Sequence, residues 1–520
     1  MTHSNKTITH IGVIGAGTMG SGIALAALFA GLEVTLTDIS SEMLDRAQNY
    51  IEKFLVRKNQ AAALEKLTLT THLADLAGVE VVIEAALENL ALKQEIFRKL
   101  DTICPPPAIL ASNTSTLGIT AIAAVTASPE RVAGLHFFNP APVLPLVEVA
   151  RAGQTSEATV QTLVALAQQL GKTPVVTRDM PGFIVNRVAR PFYLEALRIV
   201  GEGSASHEQV DQVVQLGGGF RMGPFQLMDL IGIDINFTAA QSLYEQTFGE
   251  PRYRPHLLQR QKMQQNALGR KTSRGFYEYG PDSPALEMPT PPALRRQTGA
   301  ILISEGAWAP GLAELCRQAG YNVGQTTEEK PVVAIVSAGR RAMLQLAVEL
   351  DAALPPEVPL LCQAADTTVT EMATWLNHPD RLVGFDGLFV ASGPAVTLVA
   401  SPVLTPEIRA AAEKFFHGLG RHVVWIEDSP ALILPRIVAM LVNEAAFAVG
   451  EGVANDETID LAMKLGVNYP KGPFAWAKEL GYRQVVAVLD HLLAEFGEER
   501  YRTAPLLRRL ARLAQLSERL

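Results

Sequence analysis

The stretch at 128–140, SPERVAGLHFFNP, returns 250 residues later at 378–390 as HPDRLVGFDGLFV. Four further pairs follow in the same order. ITAIA at 119–123 faces VTEMA at 369–373, and LVEVA at 146–150 faces TLVA at 397–400. MPGFIVNR at 180–187 faces SPALILPR at 429–436, and GGGFRMGPF at 217–225 faces GVNYPKGPF at 466–474. Ordered matches at offsets of 249–250 residues imply a duplicated unit. A chain of 520 residues is also too long for one core. Whatever the first copy folds into, the second is expected to repeat it, and differences between them separate residues kept for the fold from residues kept for chemistry.

Alternation of short apolar runs with helical stretches opens each copy, and a purely helical pattern closes it. The expected fold class is α/β plus all-α, an open sheet with helices on both faces followed by a helical domain, with the pair repeated in degenerate form. The boundaries are 1–182 for the first α/β domain, 183–280 for the first helical domain, 281–297 for a proline-rich linker, 298–428 for the degenerate α/β domain and 429–520 for the second helical domain.

Gly15-Ala16-Gly17-Thr18-Met19-Gly20 follows an apolar strand and opens a helix, and Asp38 ends the next strand. That context makes the glycine pattern a Rossmann-type dinucleotide fingerprint. Gly15 allows the tight turn, Gly17 lets the backbone approach a diphosphate, and Gly20 lets helix and strand pack closely. Asp38 can accept both ribose hydroxyls and would repel a 2′-phosphate, so the expected cofactor is NAD rather than NADP. In the second copy Ser304, Gly306 and Ala309 fall at Gly15, Gly17 and Gly20. About 39 residues, the Asp38 region included, are missing after them. That copy is expected to bind no NAD.

His136 and Glu148 lie on two strands joined by a proline turn, a spacing that can set an imidazole beside a carboxylate for acid/base work. In the second copy His136 becomes Asp386, Glu148 becomes Leu398, Ser115 becomes Ala365 and Asn186 becomes Pro435. Glycine, proline and apolar neighbours persist, so joint loss of the four polar residues points to a shared catalytic task in the first copy alone.

GAGTMGSGIA, ASNTSTL, GLHFFNPAPVLPLVEV, PGFIVNR and GRKTSRGFYEY resemble the 3-hydroxyacyl-CoA dehydrogenases. The tail, LAMKLGVNYPKGPFAW with GEERYR, is similar to the long duplicated members linked to phenylacetate catabolism, which act on 3-hydroxyadipyl-CoA or 3-hydroxybutyryl-CoA. The resemblance implies NAD-dependent oxidation of an (S)-3-hydroxyacyl-CoA to the 3-ketoacyl-CoA. It makes His136 the general base and Glu148 its charge partner, with Ser115 and Asn186 hydrogen-bonding substrate or histidine. It places NAD contacts on Asp38, Glu88, Lys93, Ser115, Asn139 and Lys271. Taken alone, Lys93 and Lys271 read as solvated surface charges. Lys53, Arg57 and Lys58 remain of the basic helix that shorter members place near CoA, with no contact assigned.

Composition sets the outer limits. Net charge is −8 without a basic block, which argues against nucleic acid and anionic membranes. No apolar run reaches the ~18 residues of a membrane span. Three scattered cysteines, no leader pattern and no metal-ligand spacing fit the cytoplasm. The expected partner is an acyl-CoA thioester. The two helical domains are expected to pair within the chain, and further self-association stays open. Two alternatives remain at this point: another NAD-dependent β-hydroxyacid dehydrogenase, or a non-catalytic NAD-binding protein.

Overall fold

The computed structural model describes residues 7–280, 287–304, 308–325 and 328–517. Part of the expected linker, 281–286, and Gly306 lie outside them, while 287–298 carry neither helix nor strand. The first sheet contains β1 (His10–Ile14), β2 (Glu33–Thr37), β3 (Leu67–Thr70), β4 (Val81–Glu84), β5 (Ile109–Ser112), β6 (Val132–Phe137), β7 (Leu146–Arg151) and β8 (Thr173–Arg178). Their order is β3-β2-β1-β4-β5-β6-β7-β8, parallel except where β6 meets β7. Both faces are covered, which is why β1, β4 and β5 read as unbroken apolar runs. The order reverses between β1 and β4, the place where such sheets open a ligand crevice at their carboxyl ends.

The second sheet contains β9 (Ala300–Ser304), β10 (Asn322–Gly324), β11 (Val333–Val336), β12 (Leu360–Gln363), β13 (Leu382–Phe385), β14 (Ala395–Ala400) and β15 (His422–Ile426). Its order, β10-β9-β11-β12-β13-β14-β15, is that of the first sheet without an edge strand. The deleted residues are the equivalents of the helix Ser41–Arg57 and of β3, a strand that the sequence pattern does not announce. β3 is short and only half-buried, so it lacks the apolar run that marks the others.

One correction concerns register. The second copy's strands pair Phe385 with Leu398, so Asp386 stands opposite Thr397, whose partner on the next strand is Val424. In the first copy His136 stands opposite Glu148, whose partner on the next strand is Val175. Thr397, not Leu398, therefore occupies the place of Glu148. The turn between the paired strands is one residue shorter in the second copy, which moves every later match from an offset of 250 to 249. Positive φ values confirm this, at Gly182 and Phe183 in one copy and at Ala431 and Leu432 in the other.

The chain divides into two compact units, one running to Val188 with Glu451–Asn468 added, the other Ala189–Gly450 with the residues from Tyr469 onward. In the first, the helix Asp456–Val467 from the second copy packs on β7 and β8. The Arg178 amide donates to the Val453 carbonyl at 2.9 Å, and Arg187 pairs with Glu451 at 2.8 Å. In the second unit the counterparts recur in mirror fashion. The Glu427 amide donates to the Ser204 carbonyl at 2.9 Å, and Arg436 pairs with Glu202 at 2.7 Å. Each copy lends a helical segment to the other copy's sheet. The helices Arg190–Gly201 and Leu434–Gly450 pack along each other. Their buried glutamates reach across, with Tyr253 donating to Glu444 at 2.6 Å and Tyr501 to Glu195 at 3.0 Å. The C-terminal helix Pro505–Ser517 buries Leu507 and Ala511 against this assembly rather than offering them to a membrane. No helix among the described residues is long and apolar enough to cross one.

Candidate active site

The glycine loop closes β1 and starts the helix Thr18–Phe29. Gly15 has φ +96°, and a Cβ there would lie 2.7 Å from the Ala85 carbonyl oxygen. A Cβ on Gly20 would lie 1.7 Å from the carbonyl oxygen of Gly15, so only glycine fits. At Gly17 a Cβ would meet nothing within 4 Å. Gly17 is therefore not required by packing. The open space above it, beside the uncapped helix N-terminus, is what a diphosphate would occupy. Asp38 accepts from the Ala16 amide at 2.7 Å and from the Ser40 amide at 3.0 Å. That fixes its carboxylate at the loop and leaves further lone pairs for ribose hydroxyls. These residues fit NAD. Thr18 is exposed and Met19 half-buried at the rim of the loop.

β6 and β7 set His136 directly across from Glu148. The imidazole Nδ1 lies 2.7 Å from Glu148 Oε2, with both side chains buried. Glu148 Oε1 accepts the Ile184 and Val185 amides at 3.0 and 2.9 Å. One carboxylate thus orients the histidine and anchors the short helix that carries Asn186. Asn186 Nδ2 donates to the Ser115 carbonyl at 3.3 Å. Phe138 and Phe183 flank the imidazole at centroid distances of 4.5 and 5.9 Å. With Nδ1 engaged, Nε2 is the nitrogen left to exchange a proton.

Glu88 gathers the loop after β5. It accepts from Thr114 Oγ1 at 2.6 Å and from the Ser115 and Thr116 amides at 3.0 Å each, with the Ser115 hydroxyl at 3.4 Å. Burial pushes its carboxyl up, but Lys93 and these hydrogen bonds outweigh burial and hold it below the ordinary carboxylate range. Lys93 is not the solvated charge its position suggested. Its side chain is fully buried, 2.7 Å from Glu84 and 3.5 Å from Glu88. Glu84 also accepts from Ser112 Oγ at 2.6 Å. Lys93 therefore sits behind the site and ties the ends of β4 and β5 together. Sequence reasoning also passed over Asn113, which accepts the Phe137 amide at 2.8 Å and fixes the backbone beside His136. Its place within ASNTSTL was the available signal.

Asn139 lies exposed in the turn after β6, a turn that packs on Gly22 of the glycine-loop helix. Lys271 belongs to the other compact unit, where its ammonium pairs with Asp234 at 2.5 Å. The charges Lys53, Arg57 and Lys58 lie along and just past the helix Ser41–Arg57. Among the described residues no cluster of metal-ligating side chains occurs.

A doubly wound sheet with a glycine loop fitted to NAD, beside a buried imidazole–carboxylate pair, marks the class of NAD-dependent dehydrogenases. Comparisons with known proteins narrow the class. The model of the 3-hydroxyacyl-CoA dehydrogenase NAD binding domain matches residues 10–180, and that of the C-terminal domain matches twice, at 182–279 and 432–519. The chain is 38% identical to 3-hydroxyadipyl-CoA dehydrogenase of Escherichia coli K12 over 97% of both chains. It is 43% identical to a probable 3-hydroxybutyryl-CoA dehydrogenase of Bacillus subtilis, over 52% of this chain and 98% of that one. The crystal structure of 3-hydroxybutyryl-CoA dehydrogenase from E. coli K12 superimposes with a TM-score of 0.83 at 35% identity, covering 98% of this chain and 99% of the other. This chain belongs to the 3-hydroxyacyl-CoA dehydrogenase family and is an NAD-dependent oxidoreductase.

Proposed function

We propose that the first copy carries the single active site, that His136 is its general base, and that the substrate is the CoA thioester of a short 3-hydroxy acid, foremost 3-hydroxyadipyl-CoA. The observation that carries the reading is the 2.7 Å contact between His136 Nδ1 and Glu148, with Glu148 pinned by two backbone amides. Glu148 fixes the tautomer that leaves Nε2 unprotonated, so Nε2 takes the proton of the 3-hydroxyl. The buried carboxylate stabilises the imidazolium that results. Ser115 and Asn186, joined through the Ser115 carbonyl, position the substrate oxygen. NAD, when bound, supplies the acceptor for the C3 hydride. Asp38, Glu88, Lys93, Ser115 and Asn139 are proposed to hold or organise it, Lys93 through Glu84 and Glu88.

The dicarboxylic substrate is favoured by the E. coli 3-hydroxyadipyl-CoA dehydrogenase, which matches this chain through both copies. The second copy is proposed to supply the helical pairing that a single-copy relative would obtain from a second chain. The three free cysteines fit a cytoplasmic setting. A comparison of kcat/KM across acetoacetyl-, 3-ketohexanoyl- and 3-ketoadipyl-CoA tests the substrate. Preference for 3-ketoadipyl-CoA is expected, whereas preference for acetoacetyl-CoA would move the assignment to 3-hydroxybutyryl-CoA.

A further inference from the structure

The second copy contains a cavity that the chemistry above does not use. It lies between the helix Arg340–Ala353, which follows β11, and the C-terminal helices Tyr482–Phe496 and Pro505–Ser517. Its volume is about 730 Å³, and its wall carries Arg340, Arg341, Arg483, Arg508, Arg512 and the indole of Trp308. Among the described residues two carboxylates, Asp366 and Asp490, line it. Arg508 is taken by Asp490 at 2.6 Å, Arg340 bonds Glu371, and Arg483 is engaged as well, so the charge open to a ligand is that of Arg341 and Arg512. Arg341 and Arg512 are exposed and form no ion pair among the described residues.

This concentration of positive charge sits in a chain whose net charge is −8. The first copy does not have it. Arg340 and Arg341 open their helix where Leu90 and Ala91 open the helix Leu90–Ile103. Gly481 starts the helix Tyr482–Phe496 as Gly232 starts Ile233–Gln246, which puts Arg483 where the first copy has Asp234. The copy that lost its catalytic residues thus gained guanidiniums around the corresponding helix starts. Like charges facing one space are unfavourable unless an anion fills it. The helix Arg340–Ala353 starts from Gly339, and its Arg340 amide is taken by Asp366 at 2.9 Å, so the positive charge facing the cavity is that of the guanidiniums.

We propose that this cavity is a second ligand site, apart from the active site, for a phosphorylated nucleotide. Guanidiniums pair with phosphate oxygens in bidentate fashion, and Trp308, largely buried against Gly339, borders the space where a base would lie. The volume falls within the ~300–1,000 Å³ of small-molecule sites. The same chemistry is offered by the phosphorylated ADP portion of CoA and by free ADP, so both are used as probes. The proposal does not depend on which acyl group the active site takes.

The test is calorimetric titration of the full chain, wild type and R341E/R512E, with CoA and separately with ADP, in the presence of one equivalent of NADH per chain. Turnover of 3-ketoacyl-CoA is followed in parallel. Wild type is expected to bind one equivalent more than the double variant, or to bind at least roughly tenfold tighter at that site, with kcat unchanged. Quenching of indole fluorescence by the probe should disappear in W308F. Binding of ADP would assign the site to a free nucleotide, and binding of CoA alone would assign it to the substrate or product. Identical titrations of wild type and R341E/R512E with both probes would overturn the proposal. Absence of turnover would instead count against the active-site reading and leave this result independent.

Discussion

The two copies keep one set of polar residues and part company over another. Arg131 pairs with Asp101 at 2.8 Å in the first, and Arg381 pairs with Asp351 at 2.8 Å in the second, both buried and both bonding nearby carbonyls. Asp179 accepts two amides of the helix Ile119–Ala123, and Asp428 does the same for Val369–Ala373. These residues hold the sheet, and duplication preserved them. At the places of His136 and Glu148 the second copy has Asp386 and Thr397. Lys93, buried behind the cofactor side, stands where the second copy has buried Met343. The difference is that the buried pairs on which both sheets rest are kept in both copies, while the buried polar groups around His136 and the glycine loop are kept in the first alone.

The comparison breaks most sharply at His136. His136→Gln is expected to lower kcat by roughly 10³–10⁴-fold with little change in KM, measured as 3-ketoacyl-CoA-dependent NADH oxidation. Near-normal turnover would place the chemistry elsewhere. The shared frame is next. Arg436 is fully buried and holds Glu195, Glu202 and the Tyr501 hydroxyl. Removing it takes the nearer cation from buried Glu195 and leaves it only Arg198 at 3.5 Å, so Arg436→Met should cost about 3 kcal/mol, read from denaturant unfolding. Arg187→Met, whose partner Glu451 is partly exposed, should cost less.

Asp386 sharpens the contrast. It replaces the histidine in a fully buried place, and burial pushes its carboxyl up to about 7 despite the Phe389 and Leu388 amides. A carboxyl raised in the folded state above its unfolded value near 4 favours folding below pH 4. That contribution is lost as pH rises through about 7. Asp386→Asn should therefore stabilise the protein at pH 8 by a few kcal/mol and leave it nearly unchanged at pH 4.5. The smallest effect belongs to Thr397, whose buried hydroxyl has no partner among the described residues. Thr397→Val should raise stability by about 1 kcal/mol, visible as a higher Tm.

The sequence carried the duplication, the glycine loop, Asp38 and the His136–Glu148 pair, because each rests on local spacing or on identity between copies. It did not carry the short edge strand β3, which has neither length nor an apolar face. It assigned Leu398 where the register has Thr397, because a one-residue turn deletion is silent in a run of apolar residues and is seen only in strand pairing. The burial of Lys93 was hidden as well, since its partner Glu84 ends a strand and only the fold brings the two together. The exchange of helical segments between copies is a long-range event that no local pattern encodes.

The most direct test of a single site in a doubled frame is the number of NAD molecules bound. Strand pairing corrects the place of Ser304: it ends β9 opposite the last residue of β11, as Ile14 ends β1 opposite the last residue of β4, so it stands at Ile14 and not at Gly15; its hydroxyl bonds the Ile335 carbonyl and accepts from the Ser337 amide. It also lacks the counterpart of the region around Asp38. Equilibrium titration of the full chain with NADH should saturate at one equivalent; saturation at two would contradict the account.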